Sequence, residues 1–247
     1  MTDVVAGFGY LVAGVRWVAW HPRLWLFGLI PALITLAGYV LGLVMLIGYA
    51  DDLATWATPF ADGWAEPWRT AVHWAAGLMV VGAAALLAVL TFTAVTLIVG
   101  GPFYEALAGR VEEAEGGEAP ESGLSMAREL AVSIRESVVT VLLAVMFAVV
   151  LFGLGFVPLF GQTVIPVIGA CVSGFFLAVE LTAVTLLRRG VRLRTRIRLL
   201  RGRLGLTLGF GVPLFLTFLV PFVAVVLMPG AVAGATLLAR DRLVSQP

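Results

Sequence analysis

The chain contains no lysine, and all sixteen of its basic residues are arginine. Only 13% of its 247 residues are charged, whereas 61% are hydrophobic and the mean hydropathy is +1.04. A soluble domain of this size has too little interior to bury so much apolar surface. The shortage of charge therefore excludes an ordinary soluble protein and predicts an all-α polytopic membrane protein.

Cysteine and histidine are also scarce. The sequence has one cysteine, Cys171, and two histidines, His21 and His73. A single cysteine cannot form an intrachain disulfide, and no metal-ligand spacing is present. The chain also lacks a phosphate-binding loop, a nucleophile elbow and paired catalytic carboxylates in a soluble segment. We therefore expect no metal site, no cofactor and no enzymatic activity.

One uncharged run covers 36 residues, Leu204 to Ala239, and is interrupted by three prolines. As one straight helix it would measure about 54 Å, against about 30 Å for the hydrocarbon core of a bilayer. Arg203 and Arg240 flank the run, and arginine favours the cytoplasmic side of a membrane. The run therefore predicts a re-entrant helical hairpin that is broken at Pro221.

The other apolar runs and loops complete a single membrane domain, with both termini in the cytoplasm. We predict an N-terminal interfacial helix at 1–23, full membrane spans at 24–50 and 74–99, a cytoplasmic segment at 100–137, a hairpin at 138–187, an arginine-rich segment at 188–203 and the hairpin at 204–239. In this arrangement the three outer turns contain only one arginine, Arg69, between them. That distribution follows the positive-inside rule.

The turn at 158–163 is a candidate anion site. It begins with Pro158, and its residues Gly161, Gln162 and Thr163 precede a helix predicted to start at Val164 with Thr163 as its cap. A helix N-terminus inside the membrane presents free N–H groups and a positive dipole end, which suit an anion. The alternative is an ordinary external turn, because the flanking runs of 20 and 24 residues are long enough to cross fully.

Two acidic residues and a proline have predicted structural roles. Glu180 lies deep in an apolar run; because a bare carboxylate would repel an anion, we expect it to pair with an arginine. Pro102 is expected in the first turn of a new helix, where Glu105 would complement the positive end of the helix dipole.

Eight arginines lie between residues 188 and 203. Six of them are expected to face anionic lipid: Arg188, Arg189, Arg192, Arg194, Arg196 and Arg198. Attraction of an anion toward a pore is the alternative role. Nucleic acid is not expected as a partner, since no soluble module with interleaved aromatic residues accompanies the arginines.

Four stretches of the chain resemble the CysZ sulfate-permease family, which shares its domain with the etoposide-induced membrane proteins of eukaryotes. These stretches are 101–108 (GPFYEALA) with Val111 and Glu112, 156–167 (FVPLFGQTVIPV), 177–180 (LAVE) and 228–236 (MPGAVAGAT). The resemblance implies two long transmembrane helices beside two hairpins that enter the bilayer only partly. It also implies homo-oligomers in the bacterial inner membrane, and sulfate import that supplies cysteine biosynthesis.

The chain departs from the family at one position that matters for binding. Members similar to the sulfate permeases carry Gly-x-Arg-Arg after the proline that matches Pro22, and this pattern is associated with sulfate binding. The corresponding residues here are Arg23, Leu24, Trp25 and Leu26. By resemblance, Arg23, Leu24 and Trp25 are candidate anion-binding residues. Two functions stay open: an oxyanion permease or channel, most simply for sulfate, and a non-transporting membrane scaffold or membrane-shaping protein that binds anionic lipid.

Overall fold

The computed structural model describes residues 2–21, 24, 26–115, 126–157 and 160–244, and every regular element in these ranges is helical. The helices are α1 (Thr2–Trp20), α2 (Leu26–Gly48), α3 (Ala50–Ala57), α4 (Glu66–Ala114), α5 (Met126–Leu154), α6 (Phe160–Leu181), α7 (Ala183–Arg188), α8 (Leu193–Gly202), α9 (Leu204–Phe218) and α10 (Pro221–Leu238). A 3₁₀ turn covers Pro59–Ala61, and a π-helical turn, Ala239–Val244, follows α10. The predicted all-α fold is confirmed.

Several helices are long and apolar enough to cross a membrane. The described residues contain five such segments: Leu29–Gly48, Glu66–Val89, Ala131–Leu154, Gly161–Leu181 and Val223–Leu243. The pair α8 and α9, which bends by 101° at its junction, passes the same test when the two helices are taken together. By length and composition, the chain is therefore a multi-pass membrane protein.

Contacts group the chain into two compact units, a smaller one at Leu29–Gly100 and a larger one formed by Met1–Gly28 and Gly101–Pro247. In the smaller unit, the hydroxyl groups of Tyr39 on α2 and Thr91 on α4 lie 2.7 Å apart. This hydrogen bond joins the two helices inside an otherwise apolar region, where a polar group without a partner would be costly. The single membrane domain of the sequence analysis stays a prediction.

The core of the larger unit is a layer in which α1 lies against α9 and α10. The closest approach of α1 to α10 is at Gly14, where a Cβ atom would fall on the backbone of Gly230 and Gly234. Membrane helices use glycine in this way because it lets two backbones come close enough for extensive van der Waals contact. In keeping with this, the Val223–Leu243 segment is 67% buried.

The long uncharged run is broken at the predicted place. Helix α9 ends at Phe218 and α10 begins at Pro221, a position where proline forfeits no helical hydrogen bond. At 15 residues, α9 is about 22 Å long and falls short of the hydrocarbon core on its own. A re-entrant course for 204–239 is compatible with this length and stays a prediction.

The prediction of a new helix at Pro102 is wrong. Pro102 lies inside α4, which continues without a break from Glu66 to Ala114. Proline removes its own N–H from the helical ladder and its ring crowds the carbonyl four residues earlier, and membrane helices tolerate both effects. Glu105 is therefore in a helix interior, so its expected role at a helix N-terminus is wrong as well.

Candidate functional site

A buried ion pair and a hydrogen bond connect α4 to the segment that follows α6. The carboxylate of Glu112 on α4 is 1% exposed and pairs with the guanidinium of Arg189. One residue earlier, Arg188 Nη2 donates to the main-chain carbonyl of Glu105 at 3.5 Å. Gly190 then turns the chain with a φ of 71°, a backbone conformation that glycine adopts without strain. Glu105 thus contributes its carbonyl oxygen rather than its carboxylate to this contact.

A second charged cluster joins α5, α6 and α8. Arg196 Nη1 on α8 lies 3.6 Å from Glu136 Oε2 on α5, and the Arg196 side chain is only 1% exposed. Glu180 on α6 also acts electrostatically on this guanidinium, and its Oε1 accepts a hydrogen bond from Ser137. Glu180 thus takes its hydrogen bond from a serine, and its pairing with an arginine stays a prediction.

The lipid-facing position predicted for Arg196 is wrong. Leu193, Arg196 and Leu200 are all buried and recur at a spacing that puts them on one face of α8. That face is turned into the protein, so the arginine between the two leucines is buried with them. Arg192, Arg194 and Arg198 are exposed, whereas Arg188 and Arg189 are partly buried in the contacts with α4.

A cleft of about 590 Å³ lies beside the end of α1. It is lined by Trp17, Trp20, His21, Leu24, Arg110, Glu113 and Ala114. The ring of Trp17 stacks on that of His21 with centroids 4.4 Å apart. Arg110 brings a positive charge to the cleft and Glu113 a negative one, so the lining is aromatic with one charge of each sign.

The cleft adjoins the segment that the resemblance singled out for anion binding. Leu24 is 7% exposed, and its N–H donates to the carbonyl of His21 at 2.8 Å. That amide is occupied, so Leu24 offers an anion no hydrogen bond. Arg23 and Trp25 lie outside the described residues. Arg110 is the cationic residue of the cleft that the sequence analysis missed; its position two residues before Glu112, inside a stretch that resembles the family, was the available signal.

The other candidate anion site begins earlier than predicted. Helix α6 starts at Phe160, so Gly161, Gln162 and Thr163 form its first turn, and the predicted start at Val164 with a Thr163 cap is wrong. The N–H of Gly161 donates to the carbonyl of Val157 at 2.8 Å, which extends the helical hydrogen bonding back into the turn. This amide is therefore unavailable to an anion. Pro158 lies outside the described residues.

Apolar helices of membrane-crossing length, a core packed through glycine and buried arginine–carboxylate pairs define the class: a multi-pass α-helical membrane protein. Residues 10–229 match the family described as Sulfate transporter CysZ/Etoposide-induced protein 2.4. The chain belongs to this family, and the resemblance inferred from its sequence is confirmed. No curated protein matches the chain closely enough to count as a relative.

Proposed function

We propose that the protein is a membrane permease for a small oxyanion, with sulfate as its substrate. The observation that carries this proposal is the match of residues 10–229 to a family whose description names a sulfate transporter. Sulfate import across the bacterial inner membrane, in support of cysteine biosynthesis, is the proposed role. Both termini are proposed to lie in the cytoplasm and the working form to be a homo-oligomer.

The cleft beside α1 supports the proposal on chemical grounds. Arg110 offers a guanidinium whose planar N–H groups match the oxygens of a tetrahedral oxyanion. Glu113 in the same lining weakens the attraction. Weak binding suits permeation, because an ion must leave its site as readily as it enters.

Purified protein in proteoliposomes is expected to take up radiolabelled sulfate faster than vesicles without protein. The Arg110→Gln variant should take up sulfate roughly ten to a hundred times more slowly than the wild type, since one charge-assisted hydrogen bond stabilises a bound ion by about 1.5–3 kcal/mol. Initial uptake rates at low sulfate concentration provide the measurement.

Arg69→Gln is the matched control for Arg110→Gln. Arg69 belongs to the smaller unit, where its half-exposed side chain pairs with Glu66 at 3.2 Å. Its loss removes the same charge without touching the cleft, so uptake should stay at the wild-type rate. Wild-type uptake no faster than that of empty vesicles would overturn the proposed function, whereas equal losses in both variants would exclude Arg110 as a binding residue.

A membrane scaffold that grips anionic lipid is the second candidate function, and the outer face of α8 favours it. Arg194, Arg198 and Arg201 are exposed and share one face of this helix, away from the buried leucines. A short basic amphipathic helix of this kind suits the surface of an anionic membrane.

Replacing Arg194 and Arg198 together by glutamine is expected to weaken the binding of phosphatidylglycerol about thirtyfold. Each arginine near an anionic surface contributes about 1 kcal/mol, so two contribute about 2 kcal/mol. Titration of the detergent-purified protein with this lipid, followed by native mass spectrometry, measures the change. The double lysine variant keeps both charges and should bind as the wild type does; a loss in that variant too would rule out a charge effect.

A further inference from the structure

Arg196 is the largest side chain that the described part of the chain buries completely. Its position follows from α8, whose Leu193 and Leu200 anchor the same face against the protein. A buried guanidinium cannot shed its charge, so it needs partners within the protein or from a ligand. The groups around it therefore show what it is suited to bind.

Two carboxylates face this guanidinium, and they are held differently. Glu180 is fixed from α5 by the hydroxyl of Ser137, which donates to its Oε1. Glu136 approaches Arg196 more directly, with its Oε2 3.6 Å from Nη1. A charge-assisted hydrogen bond between such groups is about 2.7–2.9 Å long. Glu136 is thus near Arg196 as a counter-ion without being tied to it by a hydrogen bond.

The cluster has unused hydrogen-bonding capacity. Nε, Nη1 and Nη2 of Arg196 have no hydrogen-bond partner among the described residues, and neither does Oε2 of Glu136 or of Glu180. Buried donors without partners cost free energy, and a permanent structural ion pair would be expected to satisfy them. The guanidinium instead keeps a full set of donors for a ligand rich in acceptor oxygens.

We infer that Arg196 is an internal binding residue for the transported oxyanion, with Glu136 as the resting counter-ion that the oxyanion displaces. This inference rests on the proposed function. A tetrahedral dianion accepts two N–H groups of a guanidinium at once, as a carboxylate does. The displaced Glu136 and the fixed Glu180 repel the bound anion, which limits its affinity and lets it leave again.

The two partners of this ion pair should change sulfate binding in opposite directions. Arg196→Gln removes the donors and is expected to weaken binding by purified protein at least about tenfold. Glu136→Gln removes the competing negative charge and is expected to tighten binding several-fold. Arg69→Gln serves again as the control, because it removes the same charge from a half-exposed side chain of the smaller unit; its affinity should stay within about twofold of wild type. Equilibrium binding of radiolabelled sulfate measures all four proteins.

A purely structural ion pair would give a different result, because either substitution would then loosen α8 and lower sulfate affinity alike. Weaker or unchanged sulfate binding by Glu136→Gln therefore overturns the inference. This test holds even if the Arg196→Gln variant does not fold. Suppose instead that the wild type binds and takes up sulfate while a folded Arg196→Gln variant binds it equally well. That result overturns the inference about Arg196 and leaves the proposed function standing. Absence of both binding and uptake in the wild type overturns both.

Discussion

Replacing Gly14 by alanine is expected to lower the free energy of unfolding by about 3 kcal/mol, the upper end for an overpacked contact, or to prevent folding. The added Cβ would overlap the main-chain atoms of Gly230 and Gly234, and a backbone cannot rotate away as a side chain can. Relief requires α1 to move off α10, which breaks the packing of the most buried helix in the larger unit. In detergent, the midpoint of thermal unfolding should fall by about 6–12 °C, as followed by circular dichroism.

Gly9→Ala is the matched control for this substitution. Gly9 lies on the same helix, and nothing comes within 4 Å of the Cβ atom that alanine would add there. Alanine favours a helix over glycine by up to about 1 kcal/mol, so this variant should be as stable as the wild type or slightly more stable. Equal midpoints for the two alanine variants would contradict the close contact of α1 with α10.

The features that could be predicted from the sequence are those with local causes. The break at Pro221 follows from the length of one uncharged run and from a residue that suits the first turn of a helix. Helix α1 ends at Trp20, three residues before the predicted bound at 23, because the residue before Pro22 disfavours the helical conformation. Membrane class follows from composition alone.

The features that sequence reasoning missed depend on contacts between distant segments. The arginines of 188–203 look alike in sequence, yet Arg196 is buried and Arg198 exposed, because one face of α8 packs on the protein. The helical spacing of Leu193, Arg196 and Leu200 indicates that Arg196 shares a face with two leucines. Its positive charge nevertheless led to the prediction that it is exposed to lipid. Pro102 was misread for the opposite reason: a local rule predicts a helix start, whereas the flanking residues keep α4 helical on both sides.

Removing the buried carboxylate of Glu112 is expected to cost about 3 kcal/mol of folding stability. In the Glu112→Ala variant, the guanidinium of Arg189 loses its ion-pair partner, and breaking a buried pair from one side costs about 3–5 kcal/mol. The lower end of this range applies, because the side chain of Arg189 is 15% exposed and can still reach water. Unfolding in detergent with increasing denaturant measures the loss.

The double variant Glu112→Leu with Arg189→Met should recover most of the stability lost in Glu112→Ala. Apolar side chains of similar size fill the same space and leave no charge without a partner, which is often neutral or stabilising in a protein interior.

The matched control is the pair of Arg69 and Glu66, whose side chains are 41% and 76% exposed. Glu66→Ala should cost at most about 1 kcal/mol, because water screens an exposed pair and solvates the arginine that remains. A double variant at 112 and 189 that is no more stable than Glu112→Ala would show that these positions need their charges. The ion pair between α4 and the arginine segment would then have a role that packing cannot replace.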